Sequence, residues 1–243
     1  MEEGTNMMKK ISFLFVGVLA VLTLCADQQK SLESVFTHIY ETGFWDVNKE
    51  GKGTSGTGST VESTKLYVVF LQEFLRENNI KTVVDVGCGD WTFSQFINWN
   101  GIDYVGYDVV KSLVDENNKK FGNAHCRFVH GNALDIDLPP ADLLICKDVL
   151  QHLPTLDIKR FLQQCKKFKH CLITSGVYFV SETGSNRNIQ AGRFRMLDLT
   201  VSPFNVHADK VLTYTFSFVD KKTKKKNKVK KQVLHVQNCS EKE

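Results

Sequence analysis

Residues 83–91 of this 243-residue chain read Val-Val-Asp-Val-Gly-Cys-Gly-Asp-Trp. An apolar, β-branched run enters a turn with two glycines, as a strand does when it ends at a ligand. Glycines at 87 and 89 allow a backbone approach that a Cβ would prevent. In open parallel sheets, ligands bind beyond the carboxyl ends of the strands. A dinucleotide fingerprint would continue G-x-G-x-x-G, but position 92 is Thr92. Asp90 also sets a negative charge where a pyrophosphate would have to sit, at the start of the next, helix-like segment. A phosphate-free cationic nucleoside suits these acids better. A sulfonium and an ammonium are attracted to carboxylates, and a ribose diol can donate to one. S-adenosylmethionine has that chemistry.

Three more segments follow in order. Tyr104-Val105-Gly106-Tyr107-Asp108 ends on an acid 19 residues after Gly89, the spacing of a ribose-binding carboxylate. Phe128–Asp135 brings Asn132, an amide suited to an adenine edge, and Ala133 to the end of another apolar run. Asp142–Leu153 sets Lys147, Asp148 and His152 just beyond a fourth.

Together these segments resemble the class I S-adenosylmethionine-dependent methyltransferases over roughly residues 63–220. The resemblance implies an α/β, Rossmann-like fold: a seven-stranded, mostly parallel sheet with an antiparallel last strand and helices on both faces. It implies that Asp85, Gly87 and Gly89 shape the pocket for the methionine part of S-adenosylmethionine. Asp108 would hold the ribose hydroxyls and Val109 would pack on the adenine, with Asn132, Ala133 and Lys147 completing the cofactor set. Family members usually carry Asp at position 132; Asn can still accept from the adenine amino group. The loop Ser55–Thr60 is similar to one that closes over the cofactor in glycan-modifying methyltransferases.

Methyl transfer is an in-line displacement, in which alignment alone contributes roughly 7–11 kcal/mol. A hydroxyl acceptor also needs a base, worth about 10²–10⁴-fold. Asp148 and His152 are the catalytic candidates, since both follow the fourth strand. The expected activity is O-methylation of a glycan or small molecule. The alternatives are RNA or protein methylation, or a non-catalytic cofactor-binding module. No H-E-x-x-H, paired-cysteine or G-x-S-x-G element occurs, so neither a metal nor a nucleophilic serine is expected. Trp91 reads as a core aromatic. Arg193, Arg195 and Asp198 fall in an insertion, 181–210, which either walls the acceptor or carries surface ion pairs.

The elements that must position these residues are legible as hydrophobic periods. Leu32, Val35, Phe36 and Ile39 repeat at helical spacing, and so does Lys65–Glu77; between them, residues 51–60 form a glycine-rich loop. Thr82–Val86, Tyr104–Tyr107, Cys126–Val129, Leu143–Cys146 and Cys171–Thr174 read as strands, with helical character at 91–98, 109–121 and 155–168. Such alternation predicts parallel pairing through right-handed crossovers. Val211–Val219 and Val229–Val236 read as an antiparallel hairpin.

Composition bounds the rest. At 42% hydrophobic and 24% charged, with 16 Gly and 4 Pro, the chain is neither collagen-like nor a multi-span membrane protein. Eight of the 31 basic residues lie in 221–231; without them 23 basic face 27 acidic side chains, about −4. That cluster reads as a solvated turn, favoured over contact with nucleic acid because no aromatics interleave it. The apolar run 11–26 after Lys9-Lys10 marks residues 1–26 as a signal peptide or membrane anchor. It implies a secretory, periplasmic or membrane-anchored location. A cytoplasmic location is the alternative, since the cofactor is not normally abundant outside the cytosol. Residues 27–62 then form an N-terminal helix and loop, and 63–238 the methyltransferase domain. Apart from Cys25, six cysteines without zinc-like spacing read as buried thiols, and Asn238-Cys239-Ser240 matches a glycosylation sequon.

Overall fold

The computed structural model describes residues 31–180, 186–219 and 223–238. Its strands are β1 (Thr82–Val86), β2 (Asp103–Asp108), β3 (Cys126–His130), β4 (Leu143–Lys147), β5 (His170–Val177), β6 (Asp209–Val219) and β7 (Lys226–Gln237). They form one sheet in the order β3-β2-β1-β4-β5-β7-β6. β1 to β5 pair in parallel, and β7 runs antiparallel between β5 and β6. The chain winds outward in both directions from β1 and β4, so a crevice opens beyond their carboxyl ends, at the switch point where such sheets bind ligands.

Alternation within the strands supplies two cores. Val84, Val86, Leu144 and Cys146 face one, with α1 (Leu32–Glu41) and α4 (Thr155–Gln164) covering them. Val83, Leu143, Ile145 and Val233 face the other, against Tyr67, Leu71 and Phe74 of α2 (Val61–Glu77). The remaining helix, α3 (Lys111–Phe121), follows β2. Helix α2 starts four residues before the Lys65 predicted from the sequence, because Thr60 caps it: its hydroxyl accepts from the Ser63 amide at 3.2 Å. Phe36, Ile39 and Tyr40 share the core of β1, so α1 packs into the same unit as the sheet.

Two expectations need correction. Residues 91–98 form no α-helix, only a 3-10 turn at Ser94–Phe96. Eight residues are too few to propagate a helix without tertiary help. Here tertiary contact works against one: Trp91 sits at φ 54° with its ring packed on Tyr104, Phe121 and Phe128. The lysine cluster is not simply a turn either. β7 begins at Lys226, so Lys226, Lys228, Lys230 and Lys231 are strand residues, and Lys231 is buried.

The apolar run 11–26 lies outside the described residues, and among those described no helix is long and apolar enough to cross a membrane. The five described cysteines are free and buried; Cys25 and Cys239 lie outside the described residues. The Asn238 amide donates to the carbonyls of Cys165 and Phe168, both at 2.8 Å, so the sequon's amide is tied into the fold.

Candidate active site

A cavity of about 510 Å³ opens at the carboxyl ends of β1, β2 and β4. All ten residues singled out in the sequence line it: Asp85, Gly87, Gly89, Asp108, Val109, Asn132, Ala133, Lys147, Asp148 and His152.

One half is built around two buried acids. The Trp91 indole donates to the Tyr104 hydroxyl at 2.9 Å, and Tyr104 donates to Asp85 Oδ2 at 2.7 Å. Trp91 is thus a core residue that fixes an acid through a relay. Burial pushes the Asp85 carboxyl up to about 7; the Tyr104 bond opposes that rise and the neighbouring Asp108 adds to it. Asp108 accepts from the Gly89 amide at Oδ2 and from the Val110 amide at Oδ1, both at 2.9 Å. Burial raises this carboxyl too, against the Val110, Gly89 and Val109 amides. Each oxygen keeps a free acceptor position, which is what a vicinal diol needs.

The glycine turn has a reason the sequence did not disclose. Gly89 is at φ +59°, and a Cβ there would come within 2.4 Å of Ser55 Oγ. The N-terminal loop itself therefore occupies the space above Gly89. The Ser55 amide donates to Asp90 Oδ2 at 2.9 Å, the Asp90 amide donates to Ser55 Oγ at 3.0 Å, and Tyr40 shares a 2.8 Å hydrogen bond with Ser55. Asp90 thus holds a strap, not a helix terminus. Gly87, at φ +73°, is shut against Val149, which a Cβ would meet at 2.3 Å.

Asn132 closes its own turn: Oδ1 accepts from the Leu134 amide and the side-chain amide donates to Asp135. Only the second acceptor position of Oδ1 is left for a ligand.

The other half is cationic. Lys147 donates to Asp148 Oδ2 at 2.6 Å and to the Gly58 carbonyl at 2.9 Å, which ties the strap to β4. Lys231 reaches Asp148 Oδ1 from β7 at 2.5 Å. Burial disfavours the charged Asp148, but the two ammonium groups outweigh it and hold the carboxyl at about 2. Asp148 stands at φ 62°, a conformation costly for a non-glycine residue. With both oxygens paired and so low a pKa, it fits poorly the base role expected from the sequence. His152 contacts the Arg193 carbonyl through Nδ1 at 3.0 Å and lies against Trp45. Burial lowers it to about 4, so the ring is neutral near pH 7.

Arg195 departs from both readings of the insertion. It is buried, and its guanidinium donates to the Arg187 and Leu153 carbonyls at 2.9 and 2.8 Å, clamping the insertion to the segment that carries His152. Asp198 caps its own turn through Thr200. Lys231 is the site residue that sequence reading missed. The signal was the alternation Val229-Lys231-Val233, which places one lysine of the cluster on the inward face.

The donor set fits S-adenosylmethionine: a poorly paired buried carboxylate for a cation, and a second with free acceptor positions for a ribose. A family described as a methyltransferase domain matches residues 83–169. No curated protein matches the sequence. Among solved structures, the chain is similar to magnesium protoporphyrin IX methyltransferase (ChlM) from Synechocystis PCC 6803 with bound SAM. The two are 15% identical with a TM-score of 0.56, covering 88% of this chain and 100% of that one. The N-methyltransferase NodS from Bradyrhizobium japonicum, in complex with S-adenosyl-L-homocysteine, gives 10% identity and a TM-score of 0.55 over 75% of this chain and 90% of that one. TehB from Haemophilus influenzae gives 12% and 0.53 over 71% of this chain, which spans 62% of TehB's length. Likenesses at such identities establish the fold, and the domain match falls on the strands that build the crevice. Residues 83–169 thus match a methyltransferase domain, within a chain that has the fold of S-adenosylmethionine-dependent methyltransferases.

Proposed function

We propose that the protein transfers a methyl group to an oxygen atom of a small-molecule or glycan acceptor. The observation that carries this reading is the division of the cavity into an acidic half and a cationic half under one strap. S-adenosylmethionine supplies a methyl carbon activated by a sulfonium.

In this reading Asp85 pairs with the ammonium of the methionine part, and Asp108 accepts from the ribose hydroxyls. Val109 and Ala133 flank the adenine, and Asn132 offers its remaining acceptor position. The strap, held by Ser55 and Gly58, keeps water out, which strengthens each electrostatic contact inside. Asp148 holds Lys147 and Lys231 in place. His152, with Nδ1 donating to the Arg193 carbonyl and Nε2 beside the Gln151 amide, borders the acceptor space.

Incubation with methyl-labelled S-adenosylmethionine and a panel of hydroxyl and carboxyl acceptors tests the proposal. Label on an acceptor oxygen supports it. A protein that binds S-adenosylhomocysteine yet labels no acceptor is a cofactor-binding module instead. The exposed Lys226 and Lys228 of β7 support a second reading, a polyanionic acceptor such as RNA. Salt-sensitive RNA binding that disappears when both are neutralised would favour it. The run 11–26 supports export or membrane anchoring, which fractionation with N-terminal sequencing of the mature chain would decide.

A further inference from the structure

Lys231 stands in the cationic half, on β7, in register with Gly176 of β5 and Tyr214 of β6. Its side chain is 4% exposed and lines the cavity. An ammonium carries three donors. Among the described residues Lys231 uses one, on Asp148 Oδ1. Lys147 differs: it gives one hydrogen bond to Asp148 and one to Gly58, and its Nζ lies 5.1 Å from the Phe93 ring centre. A buried cation with donors left over is costly unless a ligand accepts from them.

Two glycines keep the space beside it clear, since a Cβ at Gly58 or at Gly176 would lie 3.7 Å from Lys231 Nζ. Apolar rings extend this wall. Phe216 pairs with Val229, two residues on from the Tyr214–Lys231 pair and so on the same face of the hairpin, and Phe93 also lines the cavity. Bases are poorly provided. Asp148 has both oxygens on ammonium groups, and the buried imidazole of His152 lies 3.3 Å from the Gln151 amide nitrogen through Nε2.

We infer that the acceptor is an apolar carboxylic acid, its carboxylate held by Lys231 and methylated on oxygen to give a methyl ester. The inference rests on the methyl-transfer reading proposed above. The carboxylate oxygen forms a bond to the methyl carbon as the carbon–sulfur bond breaks, leaving its electron pair on sulfur; the products are the ester and S-adenosylhomocysteine. The acceptor is already an anion, so no proton has to be removed. A site whose two ammonium groups share one carboxylate, with donors left over on Lys231 and no good base, meets that requirement.

The test uses the full chain saturated with S-adenosylhomocysteine, titrated calorimetrically with octanoate and benzoate and with 1-octanol and benzyl alcohol. The acids are expected to bind at least about tenfold more tightly than their alcohols, as loss of a charge-assisted hydrogen bond implies. Lys231→Met should weaken acid binding by a similar factor while leaving S-adenosylhomocysteine affinity within about twofold, and Lys231→Arg should restore most of it. Label transferred to an accepted acid should be released by alkali as methanol. Alcohols binding as well as acids, no binding of either acid, or unchanged acid binding by Lys231→Met would each overturn the inference. The comparison of acids with alcohols on the unsubstituted protein stands even if Lys231→Met fails to fold. Failure to bind S-adenosylhomocysteine at all is a separate result, and it removes the parent reading instead.

Discussion

In the proposed reading, Asp85 makes cofactor binding pH-dependent. Its carboxyl stands at about 7 in the free protein, chiefly because burial disfavours the charge. A ligand ammonium favours that charge, so it binds the ionised form and lowers the pKa on binding. With a midpoint at 7, about one molecule in eleven is ionised at pH 6 and about ten in eleven at pH 8. Affinity for S-adenosylhomocysteine should therefore fall about tenfold from pH 8 to pH 6. Binding at pH 6 should release about 0.9 proton per site, and at pH 8 about 0.1. Calorimetry in two buffers of different ionisation enthalpy reads both quantities at once. Asp85→Asn should flatten this component and weaken binding at pH 8 by about 1.5–3 kcal/mol, the scale of a hydrogen bond to a charged group. Equal affinity at the two pH values with no proton released at pH 6 would refute the pairing of Asp85 with the ligand's cation.

The same relay and its neighbours give further tests. Tyr104→Phe removes the donor that lowers the Asp85 pKa, so the midpoint of the binding–pH curve should move above that of the unsubstituted protein. Asp148→Asn leaves two buried ammonium groups without their carboxylate and should cost about 3–5 kcal/mol in urea unfolding. The folded-state pKa of Asp148 is depressed to about 2, so its contribution is present above the unfolded value near 3.8 and is lost as pH falls toward 2. Acid unfolding of the unsubstituted protein should show that loss and Asp148→Asn should not. Gly89→Ala places a side chain at φ +59° and against Ser55, so stability should fall by at least about 1–2 kcal/mol and proteolysis within the strap should quicken.

The part of the site that was legible in sequence is the part written in local pattern. Thr82–Val86 matches the observed β1 residue for residue, and the acid that ends β2 follows from strand spacing alone. These positions are set by chain order, since a parallel sheet brings successive strand ends to one edge. What was not legible depends on pairing between distant segments. Ser55 and Asp90 exchange hydrogen bonds across 35 residues, and no period in either segment announces it. Lys231 looked like one charge among eight until its register against β5 and β6 turned it inward. Arg195 lies in a stretch without periodicity, so its burial against the Leu153 and Arg187 carbonyls could not be inferred. The segment 91–98 shows the reverse error: an apparent helical pattern served aromatic packing around Trp91.

The central claim is that the crevice beyond β1 and β2 holds a sulfonium nucleoside by its sugar and its amino acid. Calorimetry of S-adenosylhomocysteine with the unsubstituted protein and with Asp108→Ala tests it most directly. One equivalent should bind the former, and the substitution should weaken binding by about 1.5–3 kcal/mol, the range for hydrogen bonds to a carboxylate. No heat of binding at millimolar ligand, or equal affinity in the two proteins, would contradict it.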